Sequence, residues 1–293
     1  MTLLITLPDN FSADAFLSFH RRDAQAISEF VEANTLYKAV MLKGSPLMMS
    51  FTFINDAVEL RCSGTELIEG RQRLANHMLG LNQPTDEFEA HFVGHRDVGD
   101  LIKKQSGLRV PQSSTPFEAL SWAIMGQQIS VAAAVSIRRR MIIAAGQALV
   151  GERVHYAYPE PTCLLALGHD GLKACGFSES KAATMIRVCQ LIIDHQVLPE
   201  SVSSSQEADA LESVLAAIKG IGPWTISYTL LRGYAWLDGS LHGDVAVRRN
   251  LQPYLSLGVP PTAKATEMWL AEFSPWRALM AAHLWQSQSV SGF

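Results

Sequence analysis

The chain of 293 residues has a formal net charge of −4, with 48% hydrophobic and 18% charged residues. This length exceeds that of an average domain, so we expect two or three domains. The apolar content excludes disorder as the dominant state, and no stretch reaches the roughly 18 consecutive apolar residues of a membrane span. The N-terminus lacks the features of a secretory signal, so we expect a cytoplasmic protein.

The four cysteines of the chain show no C-x-x-C spacing; they are Cys62, Cys163, Cys175 and Cys189. This scatter argues against a zinc site, an iron–sulfur cluster and a disulfide framework, and predicts that the thiols act as small core residues. No metal site is therefore expected. The acidic balance lowers the expectation of nucleic-acid binding, which would have to rest on a local patch.

The first ninety or so residues mix the periodicities of strands and helices. The patterns predict strands at residues 3–7, 47–54 and 57–62, and helices at 12–20 and 66–79. We expect an N-terminal α+β domain over residues 1–94, in which helices cover one face of a sheet.

From about residue 95 the patterns predict helix after helix, so the fold class is mainly α. A clear helix start lies at Thr115-Pro-Phe-Glu118, where the spacing predicts a capping box with proline at the first helical position. This helix reaches Gln127, and Gly126 bends or breaks it. Further helices are predicted at 97–105, 129–144, 159–167, 179–195 and 207–218.

A short glycine-rich turn, Gly220-Ile221-Gly222, separates a helix that ends near Lys219 from one that begins at Pro223. Its glycines allow a tight turn, and a proline at the first helical position leaves uncovered N–H groups facing outward. Such a site can hold one phosphate without reading a base. On the pattern alone, an ordinary helix–turn–helix corner explains the segment equally well.

Residues 218–225, Ile-Lys-Gly-Ile-Gly-Pro-Trp-Thr, resemble the helix-hairpin-helix of the HhH-GPD DNA glycosylase superfamily. Three further segments resemble parts of that family in the same order. Residues 115–130 resemble its minor-groove segment, 241–249 the segment that carries its catalytic aspartate, and 274–285 its closing helix. The N-terminal layer is similar to that of the AlkA-like branch, the bacterial 3-methyladenine DNA glycosylases II.

The resemblance implies a helix-hairpin-helix DNA glycosylase fold with two helical subdomains around a cleft. Residues 95–115 and 237–293 would form the subdomain with the catalytic aspartate, and 116–236 the one with the hairpin. It implies a monomeric, nucleoid-associated bacterial protein without membrane partners, which binds double-stranded DNA containing alkylated bases. It implies no cofactor, apart from an optional monovalent cation that bridges the hairpin turn to a DNA phosphate.

Asp244 is the residue that the resemblance assigns to catalysis. From the residues alone it is a helix N-cap with an i,i+4 partner in Arg248. Breaking a glycosidic bond builds positive charge on the sugar, and a fixed carboxylate can stabilise that charge and orient or deprotonate water. The two interpretations are compatible, because a helix N-terminus keeps a carboxylate ionised and in place.

The predicted reaction type follows from Trp224. Family members that also cut the DNA backbone have a lysine at this position, and without an amine no Schiff base to the sugar can form. The resemblance thus implies hydrolysis without lyase activity, in base excision repair of alkylation damage. The alternatives are a non-catalytic protein that binds lesions through its helix-hairpin-helix, and an excision enzyme for 8-oxoguanine.

Four aromatic residues match the base pocket of AlkA-like enzymes: Trp224, Tyr228, Trp285 and, more weakly, Phe16. Electron-rich rings bind the cationic base that alkylation produces, after the base has left the stack. The alternative interpretation is that these rings are ordinary core residues.

The expected DNA contacts gather around the hairpin and the helix ends: Gly220, Ile221, Gly222, Thr225, Gln127, Gln128 and Arg248. Gln128 aligns with the family's intercalating residue, although a buried amide that caps a bent helix is the rival interpretation. The run Arg138-Arg-Arg140 either contacts phosphates or is a solvated face. His242-Gly243 and Val245 depart from the AlkA-like pattern beside Asp244, which affects lesion preference more than the reaction.

Overall fold

The computed structural model describes residues 2–42, 44–63, 68–151 and 153–287. The strands are β1 Thr2–Thr6, β2 Glu29–Glu32, β3 Thr35–Leu42, β4 Ser45–Ile54, β5 Ala57–Cys62, β6 Ala148–Val150 and β7 Val154–Tyr156. The helices are α1 Ala13–His20, α2 Ile68–Leu79, α3 Thr85–Phe92, α4 Gly99–Lys104, α5 Pro116–Gly126, α6 Val131–Ala145, α7 Pro161–Ala174, α8 Glu179–His195, α9 Ser205–Ala216, α10 Pro223–Tyr234, α11 Val245–Leu251, α12 Ala263–Leu270 and α13 Arg277–Ser287.

The N-terminal layer is an antiparallel sheet in the order β1-β5-β4-β3-β2, packed against α1 and α2. The predicted strands β1, β4 and β5 are confirmed, and so are the helices, although residues 66–67 of the second predicted helix lie outside the described residues. The sequence missed β2 and β3. Most residues of β3 are buried irrespective of the face they lie on, so this strand lacks the alternation that marks a half-buried one.

The rest of the chain is mainly helical, as predicted, and α5 ends at Gly126 as expected. The sequence missed α3, α12 and the small β6–β7 hairpin. The start of α3 has no capping signal for a sequence pattern to show, because its N-cap is Pro84 and no side chain caps it. One hydrophobic cluster joins the described helices from Phe88 to Trp285, and a second fills the sheet layer. The division of the helical part into two subdomains stays a prediction.

One of the two hydrogen bonds of the predicted capping box forms at the start of α5. Thr115 Oγ1 accepts a hydrogen bond from the Glu118 amide at 3.0 Å, as predicted. The Glu118 carboxylate, however, accepts from the amide (2.9 Å) and hydroxyl (2.7 Å) of Ser114 rather than from the amide of Thr115. The other oxygen of this carboxylate binds cations that belong to neighbouring elements.

Those cations form part of an interlayer ion cluster of Lys38, Glu29, Glu118, Arg138 and His20. Lys38 Nζ lies 2.9 Å from Glu29 and 2.9 Å from Glu118, and Arg138 Nη2 lies 2.9 Å from Glu118. Burial alone would raise the pKa of Glu118, but Lys38 and Arg138 outweigh it and hold this pKa at about 2. Burial lowers the pKa of His20 and so favours its neutral form, although Glu29 acts in the opposite direction. The cluster joins sheet and helices with balanced charge.

The run Arg138-Arg-Arg140 is therefore not a simple solvated face, and a phosphate contact stays a prediction only for Arg140, which is exposed. Arg138 is buried in the interlayer ion cluster, Arg139 pairs with Asp23, and Arg140 Nε donates to the Cys175 carbonyl at 2.7 Å. The guanidinium groups hold the layers and helices together, which a one-dimensional charge run does not reveal.

The cysteines are free thiols; Cys175 and Cys189 are buried and the other two are half-buried. Within the described residues, no helix has both the length and the apolar content that a membrane crossing requires. In the same part of the chain, no group of three or more His, Cys, Asp or Glu side chains is arranged so that it could hold a metal ion.

Candidate active site

A cleft of about 740 Å³ opens where three helix starts and one helix end meet. This volume lies within the roughly 300–1,000 Å³ of ligand pockets. Its walls are the segment between α5 and α6, the turn before α10, and the start of α11. The lining residues are Gly126, Gln127, Gln128, Ile129, Ser130, Gly220, Gly222, Pro223, Trp224, Thr225, Gly243, Asp244, Val245 and Ala246.

Asp244 is the N-cap of α11, and its carboxylate lies at the wall of this cleft. Its Oδ1 accepts from the Val247 amide at 2.9 Å, which is the expected cap, and from Trp285 Nε1 at 3.3 Å. Its Oδ2 accepts from Trp224 Nε1 at 2.8 Å. The residue is 5% exposed. Neutral donors thus orient both oxygens while the carboxylate still borders the cleft.

The expected partner of that carboxylate, Arg248, is turned away from it. Arg248 Nε donates to the Pro261 carbonyl at 2.8 Å, and no residue in the described part of the chain forms an ion pair with Asp244. Because no neighbouring cation neutralises it, the negative charge of Asp244 remains available to a bound ligand. Arg248 is half-buried, and its contact with DNA stays a prediction.

Three of the four predicted pocket rings come together beside Asp244. The ring centroids of Trp224 and Tyr228 are 5.3 Å apart, and those of Tyr228 and Trp285 are 6.3 Å apart. Helix α10 supplies the first two rings, and α13 supplies Trp285. Asn250 Nδ2 donates to the Leu284 carbonyl at 2.9 Å and so ties α11 to α13 next to this ring. Trp224 is half-buried and lines the cleft, whereas the other two rings are buried behind it.

Phe16 is not part of this ring group. It is 2% exposed and packs within the sheet layer against Phe51 and Phe53, with centroids 6.1 and 5.6 Å away. Its neighbour on α1, Phe19, faces the helical part instead, 4.3 Å from the guanidinium carbon of Arg232. Phe19 was not predicted from the sequence, because the amino-acid pattern of α1 does not show which of its two phenylalanines packs against the sheet.

Arg232 is one of the basic residues of the helical part from which phosphate contacts are expected, but it is buried behind the rings. Its guanidinium carbon is 5.8 Å from the Trp285 ring, and its Nη1 donates to the Pro111 carbonyl at 2.8 Å. Burial lowers the pKa of Arg232 to about 10, so the group stays charged at neutral pH. No regular spacing in the sequence distinguishes this arginine from a surface one.

The hairpin turn has the predicted geometry. Gly220 has a φ of +98°, and a Cβ there would lie 2.1 Å from Thr184 Oγ1, so only glycine fits. Gly222 is the N-cap of α10 and offers no side-chain cap, which leaves the first N–H groups of the helix uncovered. Ile221 and Thr225 bury their side chains, so these two residues can meet DNA only through their backbone.

The segment between α5 and α6, residues 126–130, is here called the wedge loop. Gln128 is exposed at its tip with a φ of +57°, and Ile129 beside it is 38% exposed. The exposed position of Gln128 suits a side chain that enters DNA and does not suit the rival, a buried capping amide. Gln127 has the inward position instead. Its Nε2 donates to the Gly220 carbonyl and to Thr225 Oγ1, both at 3.0 Å, so it braces the hairpin.

Comparison with known proteins places this geometry in one family. The profile of the HhH-GPD superfamily of base excision DNA repair proteins matches residues 121–275. A "DNA-3-methyladenine glycosylase" of Bacillus subtilis is 22% identical over 292 residues, which cover 97% of this chain and 96% of that protein.

Solved structures share the fold. The 3-methyladenine DNA-glycosylase from Archaeoglobus fulgidus superposes with a TM-score of 0.81 at 20% identity and covers 97% of each chain. An 8-oxoguanine glycosylase/lyase of Clostridium acetobutylicum, solved with double-stranded DNA, has a TM-score of 0.74 at 13% identity; 97% of this chain and 93% of that one are covered. Because the family profile spans more than half of the sequence, this chain belongs to the HhH-GPD superfamily of base excision DNA repair proteins.

Proposed function

We propose that this chain is a monofunctional DNA glycosylase that excises alkylated purines, of the 3-methyladenine and 7-methylguanine type, from duplex DNA and leaves an abasic site. The observation that carries this proposal is the Asp244 carboxylate, which neutral donors hold at the wall of an open cleft. The names of the Bacillus subtilis and Archaeoglobus fulgidus proteins support alkylated purines as substrates.

The target nucleotide must first leave the stack, because the sugar carbon is shielded while the base is stacked. Gln128 is the side chain in position to fill the gap, since it is exposed at the tip of the wedge loop and borders the same cleft as Asp244. An amide can stack in the gap and donate to the orphaned base on the opposite strand.

Asp244 then acts on the deoxyribose. As the bond between C1′ and the base nitrogen lengthens, its electron pair leaves with the base and positive charge develops on the sugar. The carboxylate stabilises that charge, water adds to C1′, and the proton that the water loses passes to Asp244. Trp224 and Trp285 hold the two oxygens through their indole N–H groups, so the carboxylate is oriented before the substrate arrives.

The ring group suits a cationic leaving base. Alkylation at N3 or N7 gives the purine a positive charge, which the cleft-lining ring of Trp224 can attract, with Tyr228 and Trp285 packed behind it. Such a base leaves without protonation, so the site needs no general acid. The successive centroids of the three rings are 5.3 and 6.3 Å apart, so the rings form one packed group rather than separate cores.

Trp224 supports hydrolysis without strand cleavage, because the family resemblance assigns to this position the lysine of members that also cut the backbone. An indole cannot form a Schiff base with the sugar. The same substitution argues against excision of 8-oxoguanine by a lyase route.

Backbone groups rather than basic side chains hold the DNA in this proposal. The uncovered N–H groups at the start of α10 lie beside the cleft, where they can donate hydrogen bonds to a phosphate. A monovalent cation at the hairpin stays a prediction. The Lys219 carbonyl already accepts two hydrogen bonds from protein donors and the Gly220 carbonyl accepts one, so of these two oxygens only that of Gly220 keeps a lone pair for a cation.

The test is release of 3-methyladenine and 7-methylguanine from methylated duplex DNA, with borohydride added in a parallel reaction. We expect free base, an abasic product and no covalent adduct. A trapped adduct would contradict the monofunctional assignment. Binding to an abasic-site analogue without release of any base would instead favour a lesion-binding protein.

A further inference from the structure

Helix α8 contacts both DNA-facing loops through side chains from one side of its first turns. Lys181, Thr184 and Arg187 follow one another at intervals of three residues. Thr184 Oγ1 and Arg187 Nη1 donate to the same acceptor, the Lys219 carbonyl in the hairpin turn, at 3.2 and 3.1 Å. Lys181 instead binds the wedge loop.

Lys181 closes the C-terminal end of α5. Its Nζ donates to the Met125 carbonyl at 2.8 Å and to the Gln127 carbonyl at 2.7 Å. These carbonyls lie at the negative end of the α5 dipole, where a cation is favourable. Gln127 directly precedes Gln128 and Met125 lies three residues before it, so the ammonium group fixes the backbone from which the Gln128 side chain projects.

The position of Lys181 is otherwise unfavourable. It lies in the first turn of α8, where a cation opposes the helix dipole. Burial lowers its pKa, and in the described part of the chain it forms no ion pair with a carboxylate. The two carbonyls of the α5 end are what compensate the charge. This indicates that the lysine serves the wedge loop rather than its own helix.

We propose that Lys181 is a positioning residue for base extrusion: it holds the wedge loop at a set distance from the phosphate-binding hairpin, so that Gln128 enters the duplex where the nucleotide leaves. The inference rests on the proposed function. Gln127 reinforces the link from the other side, because its side chain binds the hairpin while its carbonyl binds Lys181.

The experiment compares Lys181→Met with wild type on a duplex that contains one 7-methylguanine, either paired with cytosine or opposite an abasic-site analogue. An unpaired base costs less to extrude. We expect the single-turnover rate to fall about tenfold on the paired lesion, the order expected for losing charge-assisted hydrogen bonds, and less than about twofold on the unpaired one. DNA affinity should stay within about twofold, because the hairpin is intact.

Two further variants separate positioning from folding. Lys181→Arg keeps a cation that can reach both carbonyls, so it should restore most of the rate on the paired lesion. Lys173→Met removes an exposed cation on α7 that pairs with Glu179, which lies in the same turn of α8 as Lys181. This variant should change the rate on neither duplex. An equal loss on both duplexes, or no recovery with arginine, would overturn the proposal.

A second readout does not depend on bond cleavage. The fluorescence of 2-aminopurine placed next to the lesion rises when the base leaves the stack. We expect a slower rise in Lys181→Met than in wild type, and equal kinetics would contradict the inference. If wild type releases no base from any methylated duplex, the proposed function fails, whereas the fluorescence comparison still tests the role of Lys181.

Discussion

Glu118 and Asp244 are both carboxylates at the start of a helix, and both are almost completely buried. Glu118 lies in the first turn of α5 and is 4% exposed; Asp244 caps α11 and is 5% exposed. Their partners differ. Two cations, Lys38 and Arg138, contact one oxygen of Glu118, whereas the oxygens of Asp244 accept only from neutral indole and backbone N–H groups.

This difference distinguishes a structural carboxylate from one that can act on a substrate. A paired cation lowers the energy of a buried carboxylate but also cancels its field, so little remains for a charge that develops nearby. Neutral donors orient a carboxylate and leave its negative charge available. Glu118 therefore joins two layers of the molecule, and Asp244 can stabilise a cationic sugar.

The largest expected effect on activity is that of Asp244→Asn. Asparagine can still cap α11 through its side-chain oxygen, so the fold should persist. The rate of base release under single-turnover conditions should fall by about a thousandfold, as is typical when a main electrostatic contribution in an active site is lost. Binding to an abasic-site duplex should remain within a few fold. Activity close to that of wild type would remove Asp244 from the mechanism.

Glu118→Gln should act on stability instead. The variant keeps the shape of the side chain but leaves Lys38 and Arg138 with one carboxylate fewer in a buried site. We expect a loss of about 3–5 kcal/mol in the free energy of unfolding, measured by urea denaturation. The excision rate of the remaining folded protein should be unchanged. If Glu118→Gln lost excision rate but not stability, Glu118 would not be the structural carboxylate that we contrast with Asp244.

Trp224→Phe sharpens the account of Asp244 by removing one donor and keeping an aromatic ring. The Oδ2 oxygen loses the indole N–H that lies 2.8 Å away, so the carboxylate is less well oriented. The single-turnover rate should fall about tenfold. The matched control is Trp276→Phe, a buried tryptophan that packs against Phe88. It should leave the rate per folded molecule as it is.

A smaller effect is expected from mild acid. The folded pKa of Glu118 is about 2 against an ordinary 4.5, and the pKa of Glu29 is lowered as well, by Lys38 and Arg138 against the opposing effect of burial. Because the folded values are the lower ones, these groups stabilise the fold above about pH 4.5, and this stabilisation is lost as the pH falls towards 2. Urea midpoints between pH 6 and pH 3 measure the loss. Glu118→Gln should show a shallower dependence than wild type.

Several elements of the site were predictable because their signals are local. The glycine-rich turn, the proline at the start of α10 and the N-cap at Asp244 depend on neighbours within a few residues, and the structure has each of them. The interlayer ion cluster was not predictable. Its members come from separate elements of the sheet and the helical part, and nothing in the spacing of Lys38 or Arg138 shows that they meet.

Phe16 illustrates the same limit within the candidate site. A sequence pattern identifies the residue type but not the direction in which α1 presents it, and packing against the sheet buries Phe16 while Phe19 turns to the helices.

The sequence by itself determined where helices start and turn, since capping hydrogen bonds and backbone freedom act between adjacent residues. Only the tertiary structure decided which charges are neutralised, which rings share one surface, and that Lys181 reaches the end of α5. Those outcomes depend on distances between segments far apart in the chain, and Coulomb and packing energies vary with distance in space rather than with separation along the sequence.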